Sequence, residues 1–261
     1  MTNESVVDVR KFVTLVILDG FGIHPDSEGN AVVAAKTPFL DTIWTHGRST
    51  LIHAAGTHVG LPGEYAGNSE VGHLNLGAGQ VVYQTLPRIN DAISGKELDD
   101  NPVIKHMFSY LRKNRGRLHL TGVLSPAGVH GHIKHLFSLL ELCAVNDIDP
   151  YIHIMLDGRD TPPKEGFLYL NKLQAKIKEL GVGKIASIMG RFYGMDRDSR
   201  WERTKLAYDA MVGISDETFT DPVEVIERAY SRGEDDQFFK PRVRVDNHSR
   251  PIGSVANNDA I

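Results

Sequence analysis

At 261 residues the chain has room for one large domain or two of ordinary size, and two are expected. Hydrophobic residues at 41% and charged residues at 24% exclude a disordered chain, and a formal net charge of −4 lacks the basic surplus of a general nucleic-acid binder. A single cysteine, Cys143, excludes both an internal disulfide framework and a thiolate zinc cluster. Residues 1–10 are polar and acidic, without the apolar core of a secretory signal. The best apolar run, 12–18, is too short to cross a bilayer. The expectation is a soluble cytoplasmic protein with neither a membrane nor a nucleic-acid partner.

Residues 12–18 are β-branched and aliphatic on both alternating faces, which predicts a strand buried on both sides of a parallel sheet. Asp19-Gly20 ends it. Functional groups in open α/β sheets collect beyond the carboxyl ends of strands, so Asp19 reads equally as a metal-holding carboxylate or as a turn residue. Thr37-Pro38 predicts a helix start, and Phe39 with Ile43 and Leu40 with Trp44 form a face expected to pack on the sheet. Residues 49–53 read as a second short strand leading to Ala66-Gly67-Asn68-Ser69-Glu70-Val71-Gly72-His73. Ser69 there is a candidate nucleophile in a polar turn. A serine hydroxyl is weak until a base or metal activates it, and the plainer alternative is a turn whose side chains bond their own backbone.

A domain boundary is expected near Val82, after which residues 86–110 are polar and helical in character. Three strand, loop and helix units follow. Strand 117–124 leads through Ser125-Pro126-Ala127-Gly128-Val129-His130-Gly131-His132 to a helix with Ile133, Leu136, Phe137, Leu140 and Cys143 inward. Strand 151–156 leads through Asp157-Gly158-Arg159-Asp160 to a helix over 164–180 burying Leu168, Leu170, Leu173 and Ile177. Strand 184–189 leads through Gly190-Arg191-Phe192-Tyr193-Gly194-Met195-Asp196-Arg197-Asp198 to a helix through Trp201 and Leu206. This alternation predicts a parallel sheet. Asp221-Pro222 opens one more helix to about 231, 238–245 and 252–255 read as strands, and the chain stops at Ile261 without cap or tail, as a cut end would.

Loops of a parallel sheet leave on one side, so His130, His132, Asp157, Arg159, Asp160, Arg191 and Arg197 are expected to converge. Several arginine forks around one cleft suit a small substrate bearing phosphate and carboxylate. The same residues also read as surface ion pairs of little energetic consequence, Arg159 with Asp160 and Arg197 with Asp196 or Asp198. His130-Gly131-His132 reads either as a metal half-site or as a plain loop.

Taken in order, Asp19-Gly20-Phe21-Gly22, the Ser69 stretch, Val129-His130-Gly131-His132, Asp157-Gly158-Arg159-Asp160 and the loop from Gly190 to Arg197 resemble the cofactor-independent phosphoglycerate mutases. The resemblance covers nearly the whole chain. It implies an α/β enzyme with an alkaline-phosphatase-like parallel-sheet domain, here residues 1–82 and incomplete, interrupted by an α/β phosphotransferase domain, residues 83–261. The implied activity is that of a glycolytic and gluconeogenic isomerase, acting as a monomer when complete. It interconverts 2- and 3-phosphoglycerate through a phosphoserine, with two divalent metal ions, usually manganese, and without 2,3-bisphosphoglycerate. By resemblance Ser69 is the catalytic nucleophile and a metal ligand, Asp19 is a metal ligand, and His130, Arg159, Asp160, Arg191 and Arg197 bind substrate. Members of the family are substantially longer, and their further part carries most metal ligands, more substrate arginines and a lysine. Two alternatives stand beside this reading. A metal-dependent phosphatase or sulfatase of the same superfamily shares Asp19 and the serine but has no need of the arginine loops, and a non-catalytic phosphate-binding fragment is favoured by the abrupt end.

Overall fold

The apolar segments at 119, 151 and 184 become neighbouring strands because each is followed by a helix that carries the chain back across the sheet. The computed structural model describes residues 13–25, 27–63 and 65–261. The chain divides into two compact units, Met1–Pro87 and Arg88–Ile261.

In the second unit the strands are β1 (His119–Val123), β2 (Tyr151–Leu156), β3 (Lys184–Gly190), β4 (Thr218–Phe219) and β5 (Arg242–Arg244), in the order β1-β2-β3-β5-β4. Strands β1, β2 and β3 are mutually parallel, whereas β5 runs antiparallel to β3 and parallel to β4. The sheet is therefore mixed rather than wholly parallel. The backbone explains the reversal: Gly190 N–H donates to Phe239 O at 2.7 Å and Phe192 N–H to Gln237 O at 3.1 Å. Residues 237–239 thus begin beside the carboxyl end of β3 and run back along it, with no crossover helix. Of the expected strands at 238–245 and 252–255, only 242–244 forms one; 252–255 is irregular, preceded by an isolated bridge between Val245 and Pro251.

The α-helices among the described residues are α1 (Ala31–Ala34), α2 (Pro38–His46), α3 (Ser69–Ala78), α4 (Thr85–Ser94), α5 (Glu97–Asp100), α6 (Pro102–Asn114), α7 (Ile133–Val145), α8 (Gly166–Leu180), α9 (Arg191–Gly194), α10 (Trp201–Met211) and α11 (Pro222–Ser231). Alternation along β2 sends Ile152, Ile154 and Leu156 to one face, where Leu140 of α7, Leu170 and Leu173 of α8, and Ile226 of α11 bury them. Met155 and Met189 point to the other face, against Ala207 and Ala210 of α10. Asp221 caps α11 as its sequence predicts, accepting from the Val223 and Glu224 amides. Cys143 is core, and burial pushes its thiol up to about 12, so it is inert. Leu168, expected inside, is exposed because α8 turns Tyr169 inward instead, and Trp201 on α10 is likewise exposed.

The Met1–Pro87 unit departs furthest from expectation. Residues 13–18 and 49–53 form no strand, while Phe12 lies outside the described residues. A strand needs a neighbour for its N–H and C=O groups, and among the described residues of this unit there is none. Val13 is accordingly 95% exposed, and α2, expected to pack on a sheet, buries none of its residues. No helix among the described residues is long and apolar enough to cross a membrane.

One polar row crosses the α10 face of the sheet. His119 Nε2 lies 3.1 Å from Asp259 Oδ2, His119 Nδ1 lies 2.9 Å from His153 Nε2, and His153 Nδ1 lies 2.7 Å from Ser187 Oγ. A carboxylate only accepts, so His119 donates from Nε2, accepts from His153 on Nδ1, and His153 in turn accepts from Ser187. Burial lowers the pKa of both imidazoles, so both are neutral near pH 7 in this arrangement. Burial and the neighbouring His119 hold His153 down to about 4. With the folded pKa below the unfolded 6.5, the unfolded state binds more protons between the two values. Stability should therefore be complete above pH ~6.5 and fall as the pH drops toward ~4. Urea midpoints across that window check this, and His153→Gln should flatten the profile.

Candidate functional site

The carboxyl ends of β1, β2 and β3 open onto a cleft of about 460 Å³ lined by His130, Arg159, Asp160, Arg191, Arg197 and Arg203, with Asp196, Asp198, Phe192 and Phe238 among its walls. Five of the residues singled out by sequence are thus brought together. His132 is not among them: its Nδ1 accepts the Lys134 amide at 3.0 Å, capping α7, which disposes of the metal half-site reading of His130-Gly131-His132. Asp157 lies beneath the cleft rather than in it, its side chain only 2% exposed.

The ion-pair reading fails for two of the arginines. Among the described residues neither Arg159 nor Arg197 has a carboxylate within salt-bridge distance, and both are exposed on the cleft wall. Arg191 differs, with Nη1 held at 2.6 Å by both Asp157 Oδ1 and Asp160 Oδ2. Burial alone would raise the Asp157 carboxyl, but bonds from Ser125 Oγ, the Asp160 amide and Arg191 outweigh it and hold the group below the usual carboxylate range. Gly190 sets the depth of Arg191: a Cβ there would meet Gln237 O at 2.3 Å, so only glycine lets the two backbones close.

Arg203 and Ser125 were not anticipated. Arg203 comes from α10, stacks 3.9 Å from the Phe192 ring centroid and pairs with Asp196 at 3.2 Å. Nothing in its sequence surroundings marks it. Ser125 had a legible signal, since it follows β1 as Asp157 follows β2 and Arg191 follows β3.

A separate cleft within the Met1–Pro87 unit is lined by Asp19, Gly20, His53, Gly67, Asn68, Ser69, Gly72 and His73, with apolar walls that include Ile17, Leu18 and Ile52. Ser69 is the first residue of α3 rather than part of an open turn, because Asn68 accepts the Val71 amide at 3.0 Å and starts the helix. Gly67 is required ahead of it, since a Cβ there would fall 1.7 Å from Ala54 O. Ser69 Oγ donates to Asp19 Oδ2 at 2.7 Å, joining the two residues selected for this site across fifty positions of sequence. His73 Nδ1 lies 2.7 Å from Ser69 O and 3.3 Å from Ser69 Oγ; a carbonyl only accepts and Oγ gives its proton to Asp19, so in this arrangement that nitrogen carries a proton and is not a base for Ser69.

The resemblance implies divalent metal ions. Asp19 and Ser69 offer oxygens suited to such an ion, but among the described residues no group of three or more His, Cys, Asp or Glu side chains collects at any point. These residues do not by themselves make up a metal centre.

Such geometry defines a class: an α/β protein with a mixed sheet, whose strand-end loops gather arginines around carboxylates. The family described as BPG-independent PGAM N-terminus (iPGM_N) matches residues 89–261, and the chain belongs to it. The chain is 48% identical over 249 residues to a 2,3-bisphosphoglycerate-independent phosphoglycerate mutase of Lawsonia intracellularis, covering 95% of this chain and 48% of that protein. It is 45% identical over 252 residues to one of Acetivibrio thermocellus, covering 96% and 49%. A phosphoglycerate mutase of Leishmania mexicana, crystallised at low cobalt concentration, superposes with a TM-score of 0.72 at 32% identity over 87% of this chain and 43% of that one. The chain spans about half the length of the curated relatives it matches.

Proposed function

We propose that these residues are the amino-terminal part of an isomerase that interconverts 2- and 3-phosphoglycerate without 2,3-bisphosphoglycerate. The observation that carries the reading is the cleft at the strand ends, where Arg159 and Arg197 stand without carboxylate partners among the described residues. A forked cation with no internal anion is matched to a phosphate or carboxylate from outside. Here His130, Arg159, Asp160, Arg191 and Arg197 would hold the glycerate. Ser69 would accept the phosphoryl group, its oxygen forming a bond to phosphorus as the bond to the glycerate oxygen breaks, and would return it to the other hydroxyl. The first-turn amides of α3 favour the negative charge that Ser69 acquires. By resemblance residues 1–82 are part of an alkaline-phosphatase-like domain, and residues 83–261 a phosphotransferase domain inserted into it. By the same resemblance the complete protein is a cytoplasmic, monomeric, manganese-dependent glycolytic enzyme.

Asp19 and Ser69 are too few donors for two ions, and this favours phosphate binding without turnover by the 261 residues on their own. The expected result is no mutase turnover and weak manganese binding for this chain alone, and both properties once it is joined to the carboxyl-terminal half of a relative. A coupled mutase assay and manganese titration on the two proteins decide it. Robust turnover by the 261 residues alone overturns the argument from donor number, and absence of turnover by the joined protein overturns the mutase reading.

A further inference from the structure

Beneath the cleft, one carboxylate ties together the ends of three parallel strands. Asp157, at the end of β2, accepts Ser125 Oγ from the end of β1 at 2.6 Å and Arg191 Nη1 from the end of β3 at 2.6 Å. It also accepts the amides of Asp160 at 3.0 Å and of Arg159 at 3.3 Å, so it shapes the turn that bears two more cleft residues. Every one of these bonds ends on a side chain that is 2% exposed and is not among the residues lining the cleft. Asp157 therefore lies behind the cleft wall, yet three of the five cleft residues selected by sequence are held by it.

From this geometry we infer that Asp157, oriented by Ser125, is the positioning residue that aims Arg191 at the substrate anion. A guanidinium has a side-on edge, Nε with Nη2, which matches two oxygens of a carboxylate or phosphate. The remaining nitrogen, Nη1, is the one that Asp157 and Asp160 occupy. Among the described residues nothing bonds Nε or Nη2, and the side chain lines the cleft. With Nη1 anchored from below, rotation about the Nε–Cζ bond is blocked and the fork is presented in one orientation. Asp160 contributes to the same anchoring but is itself on the cleft wall, whereas Asp157 is wholly behind it.

This inference rests on the proposed function for its substrate, and the test separates the two. The variants are Asp157→Asn and the milder Ser125→Ala, which keeps the charge but removes the bond that orients the carboxylate. Without any ligand, side-chain nitrogen NMR of the whole chain, with the Arg191 signals assigned by their loss in Arg191→Lys, should show resolved, slowly exchanging Nη protons in the parent. They should collapse toward the averaged values of free arginine in Asp157→Asn, and broaden in Ser125→Ala, while the backbone spectrum stays dispersed. With ligand, Asp157→Asn should weaken 3-phosphoglycerate binding at least tenfold in titration calorimetry while leaving inorganic phosphate unchanged or tighter. A purely electrostatic role predicts the opposite for phosphoglycerate, because removing a buried negative charge strengthens the pull on any anion. Unaltered Arg191 signals, or phosphoglycerate binding that is unchanged or tighter in Asp157→Asn, overturn the inference. Failure of the parent chain to bind 3-phosphoglycerate counts against the proposed function instead, and the ligand-free spectra then decide the role of Asp157.

Discussion

Replacing Ser69 with alanine in the joined, full-length protein is expected to lower mutase turnover by more than about 10⁴-fold, over ~5 kcal/mol of barrier. The hydroxyl is the oxygen on which the phosphoryl group would rest, and no neighbour can take its place. His73 Nδ1 is committed to the Ser69 carbonyl, and Asp19 is the group to which Ser69 Oγ donates. The fold should be nearly indifferent, within about 0.5 kcal/mol, because Ser69 is exposed and the capping bond of α3 comes from Asn68. A radiolabelled phosphoglycerate pulse followed by denaturation should label the parent protein and leave Ser69→Ala bare. Turnover within about tenfold of the parent, a difference of only ~1.4 kcal/mol, would sink the assignment of Ser69.

The second large effect concerns Arg191. Arg191→Lys keeps the charge beside Asp157 and Asp160 but replaces a planar fork by a single ammonium. That ammonium is drawn to the two carboxylates 2.6 Å from the present Nη1, leaving no donor pair for the cleft. Phosphoglycerate affinity is expected to fall by about 10 to 100-fold, or ~1.4–2.8 kcal/mol, as read by calorimetry on the whole protein. Affinity equal to that of the parent would return Arg191 to the status of a buried ion-pair member with no part in binding.

What could be read from the sequence was whatever depends on neighbours in the chain. The strand, loop and helix units from 117 onward are legible because their apolar runs carry a clean period and their loops hold proline, glycine and charge. Asp221-Pro222 fixes its helix by local capping alone. The β-branched run at 12–18 has the composition of a strand, yet a strand is a relation between two segments, and no partner exists for it among the described residues. The reversed direction of β5 was hidden for a similar reason, since it depends on Phe239 and Gln237 meeting Gly190 and Phe192 across some fifty positions. At the site, the arginines were visible as motifs, but the commitment of Nη1 to Asp157 was not. It follows from three strand ends arriving at one point. Arg203 reaches the cleft from α10 by helix geometry that no motif encodes.

The polar row on the α10 face has a consequence for how the strands choose their alignment. The pairing of β2 with β3 shifts by one residue between Ile152 and His153, so that Ile152 faces Ile185 while His153 faces Ser187, passing over Ala186. In an unshifted ladder His153 would stand opposite Ala186, and Ser187 would turn toward Ile154 and the aliphatic side. The imidazole would then lose its donor, and a hydroxyl would be stranded among Leu140 and Leu170. Aliphatic side chains tolerate either alignment, because one branched residue fills a space much as another does. The histidine and serine do not, and they act as a key that admits one alignment of the two strands and rejects its neighbour.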